Sequence, residues 1–169
     1  MLAETITIGI AKVLAGQLMD SIVLNTGVRK LVQVPVDQLF GRADRTLARK
    51  TIEKLAKSVS NELTSFPGAY EENSGAARAA ANTFLDVLRA SELSAARLVA
   101  LNLDSTEIER YMTTKAESAL KTASAERTGH VLRAISHLSK LLVANAADLP
   151  GVQVSFMQAM LASRRAGGA

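Results

Sequence analysis

Only three prolines interrupt the 169 residues, at positions 35, 67 and 150. Between them, apolar side chains recur every three to four positions. A proline inside a helix removes a backbone hydrogen bond and clashes with the preceding turn, so its scarcity leaves long stretches in which helices can run unbroken. Twenty-eight alanines reinforce this, because alanine and leucine are the best helix formers. The chain is 48% apolar but only 4% aromatic, without tryptophan, which points to helices packed closely through small side chains. The expectation is an all-α fold: a helical bundle of about four long helices plus short connecting helices. It forms a single domain over residues 1–165, followed by a linker-like tail, AGGA, at 166–169. At this size folding hides about 70% of the surface of an extended chain, enough for a core without staples. With no cysteine, a disulfide scaffold, a thiolate zinc site and a cysteine nucleophile are excluded.

The N-terminus is the most apolar stretch. From Thr5 to Val28 only Lys12 and Asp20 are charged, and Ile6, Ile10, Leu14, Leu18 and Ile22 recur every four residues on one helical face. It lacks the basic start and small-residue cleavage site of a secretory signal. Its two charges also keep it from being a standing membrane span, which needs about 20 apolar residues. Yet a helix over residues 2–24 is long enough to enter a bilayer if several copies shield those charges, and Gly9 and Gly16 would let such helices approach closely. Two readings stand side by side: plain core helix, or core helix released on activation.

VRKLVQVPV at 28–36 breaks this helix. A second runs from about residue 37 or 42 to Phe66, with Leu47, Ile52, Leu55, Val59, Leu63 and Phe66 as its apolar positions. Pro67 and Gly68 stop it, and Ser74 is placed to cap the next, SGAARAAANTFLDVLRAS. Ser91 or Ser94 caps a short piece carrying Leu98, Val99 and Leu101. Asp104 with Glu107 resembles a capping box. A third long helix is expected over 115–147, its stripe being Val131, Ile135, Leu138 and Leu142. A last helix, VSFMQAMLASRR, follows Pro150 and Gly151.

Charge is local. Residues 42–57 hold Arg42, Arg45, Arg49, Lys50, Lys54 and Lys57 against Asp44 and Glu53, which equals the whole chain's excess of +4. Most such runs are solvated faces. The functional alternative for Arg45, Arg49, Lys50, Lys54 and Lys57 is contact with anionic membrane lipid or a helical partner protein. No aromatic residue lies in the segment to stack bases and no DNA-reading spacing occurs, so nucleic acid is not an expected partner.

Catalytic and cofactor chemistry finds little support. Neither GxxxxGK[ST] nor GxGxxG is present, so no nucleotide cofactor is expected, and no GxSxG elbow marks a nucleophile. His130 and His137 lie two turns apart, about 10 Å along one helix, too far to share a metal ion. Glu126 with His130 would be half a site without a partner pair. Glu71 and Glu72 are loop neighbours, whereas catalytic carboxylates usually converge from separate elements. No enzyme activity, metal or small-molecule substrate is expected.

GHVLRAISHLSKLLVANAADLPGVQVSFMQAMLASRRA resembles the closing segment of the N-terminal helical domains of bacterial NACHT-type NTPases, the NLR-like members of the STAND class. The features that match are the turn Leu149, Pro150, Gly151, Val152, Gln153 and the paired Arg164 and Arg165. ARLVALNLDSTEIERYM is similar to the family's Leu-Asp-Pro turn with Ser105 in place of proline, and residues 42–66 are similar to its basic second helix. The resemblance implies a non-catalytic effector domain in antiphage innate immunity. It also implies self-association through a C-terminal NTPase module, which the missing phosphate loop and the AGGA ending would place outside this chain. A second similarity, of architecture, is to HeLo and mixed-lineage-kinase-like bundles that permeabilise membranes. Together they imply a cytoplasmic protein that associates with the inner membrane on oligomerisation. There Ile6, Ile10, Leu14, Leu18 and Ile22 insert, causing cell death or growth arrest. The alternative is an adaptor that recruits a separate effector through helix contacts without touching membrane.

Overall fold

A computed structural model of the chain describes residues 6–18, 45–63 and 75–167. These form seven α-helices and no strand: α1 Ile6–Leu18, α2 Arg45–Leu63, α3 Gly75–Ser91, α4 Ala95–Ala100, α5 Ser105–Leu120, α6 Ala125–Ala144 and α7 Val152–Gly167. A 3-10 turn at Ala146–Asp148 precedes the last helix. The expected all-α class is the observed one. The remainder of the helix expected over 2–24, including Ile22, lies outside the described residues, as do the 28–36 break, Pro67–Gly68 and the Ser74 cap. The last helix continues past residue 165, where the tail was expected to begin.

Helix α1 lies against α2 and α3, α2 against α6, and α3 against α5 and α6, which also pack on each other. The shared core follows the sequence stripes. Ile52, Leu55, Val59 and Leu63 of α2 are buried, as are Val131, Ile135, Leu138 and Leu142 of α6. Phe84, Leu85 and Leu88 of α3 with Ile108 and Met112 of α5 complete it. Alanines 11, 15, 56, 81, 116 and 134 are buried at the contacts, where a small side chain lets helix axes come close.

The start of α1 is tied to the α3–α4 connector, 86 residues away. The Ile6 N–H donates to the Leu93 carbonyl at 2.7 Å, and the Leu93 N–H donates to the Thr7 hydroxyl at 2.9 Å. The first N–H groups of a helix have no partner within it. Here one of them and an otherwise orphaned connector amide satisfy each other's residues in a buried place.

One expectation is corrected. Residues 115–147 are not one helix but parts of two, α5 and α6, separated by the turn at Lys121–Ser124. The Ser124 hydroxyl accepts from the Arg127 N–H at 3.2 Å, and Arg127 donates from Nη2 to the Thr122 carbonyl at 3.1 Å. This N-cap starts α6 after the turn, and reversal of the chain brings α5 onto α6. Of the two serines proposed to cap α4, Ser94 does so, accepting from the Arg97 N–H, while buried Ser91 donates to the Val87 carbonyl. Asp104 caps α5 through Oδ1. The box is not reciprocal: the Asp104 N–H goes to the Leu101 carbonyl and the Glu107 carboxylate to Arg110. On α3, burial raises the Asp86 carboxyl above its ordinary 3.8, and Arg89 at 3.7 Å offsets part of that rise.

Three non-glycine residues, Glu92, Asn102 and Leu103, take left-handed φ values of 46°, 60° and 51°. They bracket α4 on both sides.

The clasp makes a direct prediction. Thr7→Val leaves the Leu93 N–H buried without its acceptor and should cost about 1–3 kcal/mol in urea unfolding. Thr7→Ser, which keeps the oxygen, should retain most of that stability.

Candidate interaction surface

Helix α7 begins at a turn that only glycine fits comfortably. Gly151 has φ +78°, and a Cβ there would lie 3.3 Å from the Cβ of Ala95. The turn sets the first residues of α7 on α4: Leu149 and Val152 are each 3% exposed, and Leu98 of α4 is fully buried. The Gln153 amide donates back to the Ala147 carbonyl at 3.3 Å. Among helix pairs in close contact, α7 packs on α4 and on the 3-10 turn.

Beyond Val152 the helix leaves the core. Val154, Phe156, Met157, Met160 and Leu161 are 60%, 48%, 63%, 46% and 53% exposed, and they are the large exposed apolar side chains among the described residues. At 100° per residue they fall within an arc of about 160°. Ser155, Gln158 and Ser163 lie outside that arc, and Arg164 and Arg165 close the helix. No acidic residue occurs in α7. Asp148, exposed, stands three residues before Gly151.

The five residues expected to insert into membrane have a different setting. Ile6, Ile10, Leu14 and Leu18 are 0–1% exposed, inside the core; Ile22 lies outside the described residues. Nine of the thirteen residues of α1, Lys12 among them, are buried. Among the described residues, no helix is long and apolar enough to cross a membrane.

The basic residues divide. Arg45 opens α2, and its side chain lies outside the described residues. Arg49 pairs with Glu53 at 3.0 Å, an exposed i,i+4 pair contributing about 0.3–0.5 kcal/mol. Lys50 and Lys57 are exposed. Lys54 donates to the Asn145 side-chain oxygen at 3.3 Å, linking α2 to the end of α6 just before the 3-10 turn.

Polar groups with chemical potential are engaged separately. Ser58 Oγ and His137 Nε2 are 2.8 Å apart and join α2 to α6. Arg133 Nη2 and His130 Nδ1 are 3.0 Å apart, and His130 Nε2 lies 3.7 Å from Glu126 Oε1. Among the described residues, no three His, Cys, Asp or Glu side chains converge to hold a metal ion. An open cavity of about 290 Å³ is lined by Ala79, Thr122, Ser124, Glu126 and Arg127. Ser124 and Arg127 there already serve the cap of α6.

Sequence reasoning missed the α7 face. Its signal was present in VSFMQAMLASRR, as five large apolar residues on one arc with cations at one end.

The contrast between the two apolar helices is measurable. Leu14→Ala in α1 should cost about 2–5 kcal/mol in urea unfolding, whereas Leu161→Ala in α7 should stay within about 0.5 kcal/mol. No protein-family model, curated protein or solved structure matches the chain.

Proposed function

We propose that this chain is a non-catalytic helical interaction module that offers α7 as its docking element. The observation that supports it most is the set of half-exposed apolar side chains on α7. Each forgoes about 1 kcal/mol of burial, roughly 5 kcal/mol in all. That is a large fraction of the 5–15 kcal/mol by which domains are stable, and a covering partner would recover it. Contiguous apolar surface of this kind marks docking sites more often than it marks ordinary surface. The reading matches the adaptor alternative from the sequence. Within the resemblance to NACHT-type proteins, it would make α7 the element that joins this domain to another.

A second reading keeps α1 as a membrane effector. Its support is that Lys12 is the one charge in Ile6–Leu18 and that the exposed Lys50 and Lys57 stand on the helix α1 packs against. Undocking α1 would expose four large apolar residues at about 1.5–3 kcal/mol each, nearly the stability of a whole domain. The described helix is also only about 20 Å long against a hydrocarbon core of about 30 Å. Release would therefore need energy from outside the domain, and the docking reading needs none.

Two measurements separate these readings. A photo-crosslinking amino acid at position 157, expressed in the cell, should give discrete adducts. The same group at exposed position 50 should give none, and an absence of adducts at 157 would end the docking reading. The purified chain should release no dye from anionic liposomes; release abolished by Ile10→Glu, with unchanged circular dichroism, would favour the effector reading instead.

A further inference from the structure

We infer that the α7 face takes a second copy of this chain, in an antiparallel pair about a twofold axis near Met157. This rests on the docking reading and names its occupant. A twofold interface requires one patch to be complementary to itself, and the α7 arc is. Antiparallel pairing about Met157 sets Leu161 of each copy opposite Val154 of the other, Met160 beside Phe156, and Met157 on Met157. The five exposed apolar side chains are thereby all used.

Charge selects the orientation. Arg164 and Arg165 are exposed at the C-terminal end of α7, and exposed Asp148 stands just before its N-terminal end. None of the three has an ion-pair partner among the described residues. In the antiparallel pair the arginines lie over residues 149–151 of the other copy, within reach of its Asp148. A parallel pair would gather four arginines at one end with no acid in either helix. Like charges so placed cost several kcal/mol, the means by which interfaces exclude a wrong register. An anionic membrane fits less well. A helix that lies in a bilayer surface carries lysine or arginine along its polar face, and here that face is Ser155, Gln158, Ala162 and Ser163.

The area sets the strength. Roughly 100 Å² from each of five half-exposed side chains is about 500 Å² per copy and about 1,000 Å² per dimer, at the low end for specific interfaces. The dimer should be concentration-dependent, forming in the micromolar range or above.

The absence of cysteine makes the test clean. Met157→Cys places a single thiol on the proposed axis, and mild oxidation should yield disulfide-linked dimer. Val154→Cys should crosslink many-fold less, because its counterpart lies about 10 Å away along the helices. In sedimentation velocity from about 5 to 500 μM, the unaltered chain should shift from monomer to dimer. Leu161→Glu should abolish the shift, and Arg165→Glu should weaken it about tenfold. Asp148→Arg added to Arg165→Glu should restore it. Circular dichroism checks that each variant is folded; these positions are exposed, so folding should persist. Equal crosslinking at 154 and 157, or a chain that stays monomeric throughout, overturns the pairing. The docking reading would survive that result and fall only if position 157 forms no adduct in the cell.

Discussion

The burial of α1 is the constraint on which the other helices depend. It packs on both α2 and α3. Its four large apolar side chains lie in the core that those helices share. The Leu93 clasp fixes where along α3 this happens. The Ile6 N–H and the Thr7 hydroxyl are both spoken for by one connector residue, so α1 cannot slide by a turn without leaving buried polar groups unpaired. Packing thus supplies the energy and the clasp supplies the register.

The second half of the chain is organised by caps rather than by composition. Ser94, Asp104 and Ser124 each begin a helix by accepting backbone N–H groups. The reversals they create return α5 and α6 to the same core. Gly151 ends this series differently, turning the chain through a left-handed residue directly against Ala95. The result is a helix anchored at one end by Leu149 and Val152, with its side chains from Phe156 to Arg165 exposed.

The class and most core positions were legible because periodicity reports which side chains share a face. Val131, Ile135, Leu138 and Leu142 could be read as one stripe, and they are buried as one. Periodicity says nothing about whether that face meets anything. The arc from Val154 to Leu161 has the same grammar as the α6 stripe, yet one is exposed and the other covered. Conversely, the apolar first helix invited a membrane reading on grounds that describe a fully enclosed helix equally well. The division between α5 and α6 left a fainter mark: no large apolar residue falls between Leu120 and Val131, and Ser124 in that gap caps α6. Where a partner must be known before a face can be interpreted, local pattern runs out.

The left-handed residues Glu92, Asn102 and Leu103 carry a consequence for motion. A side-chain-bearing residue in that conformation costs on the order of 1 kcal/mol or more, least for asparagine. All three flank α4, the short helix on which α7 rests. Opening the connectors at either end of α4 relieves this stored strain. Release of that strain assists the opening of α4, and its amides should exchange with solvent early. The platform that presents the exposed face is thus held under strain at both of its ends.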